Sequence, residues 1–314
     1  MLGNQTLIVL IGTLLLGVAS GMVGTFAVLR RRALVGDVVA HSALPGLCLS
    51  FLLFHSRSMI LLLCGALVSG LLGAVVVALM KRFTRLREDA IQGIVLSVFY
   101  GGGIALTRFI QNRYRNEPGS DLESFIIGRA ATMLKADVLQ IAAVALVTTI
   151  IVLVLYKELT LLSFDEQFCR VQGWSTMGLD LTLMLLTAIT VVVGLPAVGV
   201  VLTAALLIIP PSAARFWTDR LSTMMMIACL FGGASGVVGT LVSANISGLP
   251  TGPLIVMTST VIFIASWLFA PHRGVVWNGN RSRDLDVDPS WLVTESQFAD
   301  ESPADLQIKR GSGM

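Results

Sequence analysis

An acidic residue and a histidine lie close together in an otherwise apolar stretch, "LVGDVVAHSALPGLCLSF", which covers residues 34–51. Asp37 and His41 are four positions apart, so in a helix their side chains project from the same face. A charged side chain at the centre of a bilayer costs about 2.5–3.5 kcal/mol on insertion scales, and such a group usually faces a bundle interior or a water-filled path. The pair is therefore a candidate functional site.

The donor atoms of this stretch suit a divalent first-row cation. Pro45 lies four positions after His41 and has no N–H to donate to the His41 carbonyl, so a carbonyl, a carboxylate and an imidazole lie together. Oxygen and nitrogen donors of these kinds bind divalent first-row metals. One helix offers too few ligands for a tight site, whereas two copies facing each other across a dimer axis would supply two carboxylates and two imidazoles. The sequence thus predicts that Asp37 and His41 hold a metal transiently on a transport path.

A structural role for the same residues is the alternative. Asp37 follows Arg32 by five positions, so it could lie near the membrane surface, cap the helix or pair with an arginine. His41 would then be a hydrogen-bonded packing residue. Cys48 lies seven positions after His41 and shares its face, which makes it a possible third ligand, although a small buried hydrophobic role is more usual for cysteine.

The composition is that of an all-α polytopic membrane protein. Of the 314 residues, 55% are hydrophobic and 13% are charged, which is about half the charged share of a soluble domain, and the mean hydropathy is +0.83. Apolar runs of about 20 residues, long enough to cross a bilayer as helices, recur along the chain. Pro210 and Pro211 are expected to break or end the seventh run. We predict about nine transmembrane helices, at residues 7–29, 33–54, 59–80, 91–109, 137–156, 178–195, 198–214, 222–243 and 252–270.

The basic residues indicate how these helices are oriented. With the C-terminus in the cytoplasm, the inside segments hold 16 of the 22 Lys and Arg residues and the outside segments hold 6. An excess of this kind is typical of the cytoplasmic side, so we place the N-terminus outside. We divide the chain into a transmembrane permease domain, residues 1–272, and a polar cytoplasmic tail, residues 273–314, which is expected to be flexible.

Four stretches together resemble the metal-type ABC transporter permeases, the membrane subunits of manganese, zinc and iron-chelate importers. The first, "RRRALVGDVVAHSALPGLCLSF" at 30–51, matches a pattern of a basic residue, Leu-x-Gly-Asp, three residues, His, and Leu-Pro-Gly. The others follow in the family's order as "LESFIIG" (122–128), "SFDEQFCRVQG" (163–173) and "VGVVLTAALLIIPPSAAR" (198–215). The resemblance covers about residues 5–272.

The resemblance implies a type II ABC importer-like permease in the bacterial inner membrane. Asp37 and His41 would be ligands of the transported Mn²⁺, Zn²⁺ or Fe²⁺, and no cofactor would be bound permanently. The implied partners are a cytoplasmic ABC ATPase, an extracellular or periplasmic metal-binding protein, and a second permease copy in a homo- or heterodimer. The stretch 163–173 matches the region expected to couple to the ATPase. No nucleic-acid partner is implied.

Two other functions stay open at this point. A permease for a metal chelate or a vitamin would need a wide cavity and no direct ligands, and an ATPase-independent secondary carrier would show broken helices and inverted repeats. The sequence contains neither a GxxxxGK[ST] phosphate-binding motif nor an HExxH zinc-protease motif. We therefore expect a transport subunit that is not an enzyme, with ATP hydrolysis supplied by a separate chain.

Overall fold

The computed structural model describes residues 4–30, 32, 34–54, 58–113, 128, 133–246, 249–271, 274 and 276. Within them the chain forms eleven α-helices and no strand. In chain order these are α1 (Asn4–Leu29), α2 (Val35–Phe54), α3 (Met59–Phe83), α4 (Glu88–Arg113), α5 (Lys135–Val154), α6 (Tyr156–Phe164), α7 (Glu166–Val171), α8 (Thr176–Val198), α9 (Val200–Arg215), α10 (Leu221–Asn245) and α11 (Thr251–Phe269). The stretch 122–128, apart from its last residue, and the tail 273–314, apart from residues 274 and 276, lie outside the described residues. The division into two domains therefore stays a prediction.

The nine predicted spans correspond one for one to α1–α5 and α8–α11, which confirms the all-α polytopic fold. Eight of these helices are long and apolar enough to cross a membrane. The seventh, α9, is shorter. Its 16 residues extend about 24 Å, whereas the hydrocarbon core of a bilayer is about 30 Å thick.

α8 and α9 form a tight hairpin around a single residue. Gly199 separates them and has φ 87°, a left-handed conformation that glycine adopts without a Cβ penalty. A Cβ added at Gly194 would lie 2.5 Å from Thr203 Cγ2. Along one straight helix these two positions would be about 13 Å apart. The chain therefore reverses at Gly199, and α9 runs back along α8.

The expectation that Pro210 and Pro211 break or end the seventh span is wrong, because α9 continues through both of them to Arg215. A proline leaves the carbonyl four residues earlier without its usual N–H partner, which for Pro211 is the carbonyl of Leu207. This carbonyl lies against Gly24 of α1, so closely that a Cβ at that position would overlap it. The missing side chain lets α1 pack directly against this carbonyl.

α1 runs through the core of the bundle and packs most closely against α10. Gly17 of α1 and Gly232 of α10 approach so closely that a Cβ on either would overlap the backbone of the other. The Thr13 hydroxyl lies 3.3 Å from the Gly236 carbonyl oxygen, to which it donates, and 3.1 Å from the Thr240 hydroxyl. Small residues permit this approach in a membrane, where no hydrophobic force drives one helix against another.

One end of the bundle collects ten of the thirteen basic residues that the structure describes. Val38 of α2 packs with Val77 of α3 and Ile91 of α4, and Leu29 of α1 packs with Met224 of α10, so these helix ends lie together. The basic residues at this end are Arg30, Arg32, Lys81, Arg82, Arg85, Arg87, Lys157, Arg170, Arg215 and Arg220. Hereafter it is the basic end, and the orientation predicted from the sequence places it on the cytoplasmic side.

Candidate metal centre

Asp37 and His41 face each other on the first two turns of α2. Asp37 lies in the first turn, where the helix dipole favours a negative charge, and His41 follows one turn later. The distance between His41 Nε2 and Asp37 Oδ1 is 3.4 Å, and the two side chains are 19% and 32% exposed, respectively. The structure thus brings together the two residues that their spacing had paired, at a place that a small ligand can reach.

The spacing of these two donor atoms suits binding to one cation. A zinc ion lies about 2.0–2.2 Å from histidine nitrogen and carboxylate oxygen atoms, so two donors on a tetrahedral ion are about 3.4 Å apart. The observed distance between His41 Nε2 and Asp37 Oδ1 has this value. The pair can therefore chelate a single ion without a large rearrangement of α2.

Tyr100 of α4 packs on the imidazole. Its ring meets the His41 ring edge to face, with centroids 4.8 Å apart and an angle of 85° between the planes, which is a favoured aromatic geometry. His41 Nδ1 is buried and has no hydrogen-bond partner among the described residues. Asp37 and Tyr100 are thus the contacts that orient the ring. Sequence reasoning missed Tyr100, because nothing in an apolar span relates it to a histidine 59 positions earlier.

The approach of α4 to α2 depends on Pro45 and Gly103. α2 stays helical through Pro45, and a Cβ added at Gly103 would lie 3.1 Å from Pro45 Cδ and 2.7 Å from Leu44 Cβ. A larger residue at Gly103 would therefore push the two helices apart. Because Tyr100 lies three positions before Gly103 on α4, the same contact sets the distance between the Tyr100 ring and His41.

Cys48 is held by α4 and does not join the pair. Its thiol lies 3.2 Å from the Thr107 hydroxyl oxygen and 3.8 Å from the Gly103 carbonyl oxygen, and the side chain is fully buried. These contacts favour the packing role for Cys48. Among the described residues, no group of three or more His, Cys, Asp or Glu side chains could hold a metal ion. In the part of the chain that the structure describes, Asp37 and His41 thus stay a pair of candidate ligands without a third.

The structure also bears on the alternative that Asp37 caps the helix or pairs with an arginine. Arg32 pairs with Asp180 of α8, and Arg30 contacts the same carboxylate, so both of these arginines are engaged away from α2. Its place in the first turn puts Asp37 nearer to the basic end than to the middle of α2, as that alternative required. Its partner is nonetheless His41, and its carboxylate stays partly exposed.

The sequence of residues 4–270 matches the ABC 3 transport family. The chain is a member of this family. It is similar to the zinc transport system membrane protein TroC of Treponema pallidum, with 46% identity over 279 residues, which are 89% of this chain and 93% of TroC. It is also similar to the manganese transport system membrane protein MntC of Bacillus subtilis, with 45% identity over 85% of this chain but only 61% of MntC.

The similarity of this ABC 3 family chain to known proteins includes the fold, as a solved structure shows. The chain is similar to PsaBC from Streptococcus pneumoniae in complex with Fab, with a TM-score of 0.75, 28% identity, and coverage of 86% of this chain and 94% of that one. These findings confirm the resemblance to metal-type ABC permeases and the permease fold. Together with the eight apolar helices they confirm a multi-pass membrane protein, consistent with the predicted bacterial inner membrane.

Proposed function

We propose that this ABC 3 family chain is the membrane-spanning permease subunit of an ATP-driven importer for manganese, zinc or ferrous iron. The observation that carries the proposal is the partly exposed Asp37–His41 pair, whose donor atoms lie at chelating distance in a transmembrane helix. The names of its relatives support it, since MntC belongs to a manganese transport system and TroC to a zinc transport system.

The metal is the cargo, and the pair holds it briefly. Carboxylate and imidazole bind metals in their deprotonated forms, and both accept all three ions, so the ligand types do not rank them. Two ligands from one chain leave the rest of the coordination shell to water or to a second copy. A site with so few ligands binds its ion weakly. Weak binding suits transport, because the ion must leave the site again. The chain makes and breaks no covalent bond in its cargo and is therefore not an enzyme.

The ATPase is expected to dock at the basic end, on α6, α7 and the segment that follows. Five large apolar side chains there are 44–84% exposed, namely Phe164, Phe168, Val171, Trp174 and Met177. Exposed charges interleave with them, including Glu166 and Arg170, so the segment faces water and not lipid. An exposed apolar patch in such surroundings marks a protein contact. An external metal-binding protein would dock at the opposite end.

A second permease copy is expected to pack against α4. An added Cβ would meet nothing within 4 Å at Gly93, Gly101 and Gly102, unlike at every other described glycine of the spanning helices. Gly93, Ser97 and Gly101 repeat at four-residue intervals and are exposed, which forms a ridge of small residues. Such a ridge allows another helix to approach closely.

This ridge lies beside the candidate metal centre. At about 100° per residue, Gly93, Ser97 and Gly101 lie about 20°, 60° and 100° from Tyr100 around the α4 axis, whereas Gly102 lies about 160° away from it. Tyr100 in turn contacts His41. A second copy on this ridge would bring its own carboxylate and imidazole toward the first pair and complete the coordination shell of the ion.

Two adjacent glycines test this packing. Gly101→Leu should reduce the dimer fraction of the purified permease by about tenfold, because a larger side chain inserted into a packed contact between two helices destabilises that contact. Gly102→Leu is the matched control, since it has the same open surroundings within the chain but points away from the ridge. Single-molecule mass measurement in nanodiscs gives the dimer fraction. Equal dimer fractions for the two variants would contradict the assignment.

Uptake by the reconstituted complex tests the proposed function. Proteoliposomes containing the permease and its ATPase should import Mn²⁺, Zn²⁺ or Fe²⁺ when ATP is inside and one metal at a time is offered with the binding protein. Import of a chelate or vitamin in place of the free ion would contradict the direct-ligand mechanism. Import without ATP would favour a secondary carrier, which membership of the ABC 3 family already disfavours.

A further inference from the structure

Two arginines between α1 and α2 reach sideways to other helices at the basic end. Arg30 Nη1 donates a hydrogen bond to the Leu162 carbonyl of α6 at 2.8 Å, and Arg30 Nη2 lies 3.3 Å from Asp180 Oδ1 in α8. The same nitrogen lies 3.7 Å from Glu166 Oε2 in α7. The Arg30 and Asp180 side chains are only 10% and 20% exposed, so the ion pair between them is less screened by salt than the pair with Glu166, which is 45% exposed.

Asp180 joins the two arginines into one unit. Its Oδ1 faces Arg30, its Oδ2 is bonded to Arg32 Nη1, and its side chain is 20% exposed. Removing one member of such a largely buried set leaves the charge of another uncompensated. The four residues Arg30, Arg32, Glu166 and Asp180 are hereafter the Asp180 cluster.

The cluster touches the start of the helix that carries the candidate metal ligands. The Val35 N–H donates to the Arg32 carbonyl at 3.0 Å, and this bond forms the beginning of α2. Asp37 follows two positions later in the first turn of that helix. Arg32 and Asp37 are therefore separated by a single hydrogen-bonded turn, so a movement of Arg32 is expected to move Asp37 as well.

The other side of the cluster is anchored in the short helices. Cys169 of α7 is buried against Leu162 of α6 and Leu179 of α8. This burial raises the pKa of the Cys169 thiol, so the residue is a neutral packing group. α6, α7 and the beginning of α8 are thus packed together, and a force on α7 acts on Asp180 as well.

We propose that the Asp180 cluster transmits movements of α6 and α7 to Asp37 and His41, so that the state of the ATPase sets the access of the metal to this pair. The contacts run from Glu166 through Arg30 and Asp180 to Arg32 with no gap longer than 3.7 Å. The cluster residues are positioning residues. The inference rests on the proposed function, because it requires an ATPase docked on α6 and α7.

Two substitutions at Asp180 separate charge from shape. Asp180→Asn keeps the shape of the side chain and removes its charge, whereas Asp180→Glu keeps the charge. In proteoliposomes with the assembled complex, Asp180→Asn should hydrolyse ATP at nearly the wild-type rate but import metal about tenfold more slowly, a typical size for coupling between sites. Asp180→Glu should recover most of the import. The number of ATP molecules hydrolysed per metal ion imported is the deciding measurement.

Glu88→Gln is the control, since Glu88 pairs with Lys81 at 2.7 Å at the same end of the bundle and lies outside the cluster. This variant should keep the wild-type ratio of ATP to metal. An unchanged ratio in Asp180→Asn, or an equal loss of hydrolysis and import, would overturn the inference while wild-type import leaves the proposed function standing. If the wild-type complex imports none of the three metals, the proposed function fails and the inference falls with it.

Discussion

Replacing Asp37 with asparagine or His41 with alanine is expected to lower ATP-dependent metal import at least about 100-fold, because residues that merely support metal ligands already contribute about 10–100-fold. Each change removes one of the two proposed ligands, and no larger group of His, Cys, Asp or Glu side chains among the described residues could replace it. The variant complex should still assemble, since both side chains are partly exposed. Import of radioactive manganese or zinc into proteoliposomes measures the effect.

Cys48→Ala is the matched control for these variants. Cys48 lies on the same face of α2 as His41, but its thiol contacts Thr107 and the Gly103 carbonyl. Metal import by the Cys48→Ala variant should stay within about twofold of wild type, as expected for a small buried residue that binds no cargo. Import that survives the loss of both Asp37 and His41 would refute the site. A loss in Cys48→Ala as large as that in His41→Ala would instead make the thiol a third ligand.

Gly17→Leu is expected to abolish the folded permease. A Cβ at Gly17 would already overlap the backbone of Gly232, and neither α1 nor α10 can yield without losing the hydrogen bond from Thr13 to Gly236. Even Gly17→Ala should cost about 1–3 kcal/mol of folding stability, the usual range for overpacking. Thermal unfolding in detergent, followed by size-exclusion chromatography, measures both variants.

A glycine in open surroundings provides the comparison for this prediction. Gly102 of α4 meets nothing within 4 Å of an added Cβ, so Gly102→Leu should unfold at nearly the wild-type temperature. A monodisperse Gly17→Leu protein with an unchanged unfolding temperature would show that α1 and α10 do not pack as described.

The local features of this chain were readable from its sequence. The spacing of Asp37 and His41 placed both on one helix face, and the apolar runs corresponded to the nine helices α1–α5 and α8–α11. The family resemblance followed from the motif around the pair and is confirmed by the match of residues 4–270. The shared face and the spans depend only on helical periodicity and hydropathy, which are properties of neighbouring residues, whereas the resemblance depends on matching the residues of the motif to a known family.

Contacts between distant segments could not be predicted in this way. Tyr100 packs on His41, Arg32 pairs with Asp180 from 148 positions away, and Gly24 covers the carbonyl that Pro211 leaves free. The prediction of a helix break at the two prolines was wrong, since α9 continues to Arg215.

Hydropathy and residue spacing are enough to show that this chain crosses a membrane many times and that one of its helices carries a carboxylate and an imidazole on the same face. Which helices meet, and therefore what surrounds that pair, is seen in the folded protein alone. Lipid is as apolar as the helix faces, so hydropathy identifies a span but not its neighbours. Neighbours are chosen by the close fit of small residues, as between Gly17 and Gly232, and by the few buried polar contacts, such as those of Asp180.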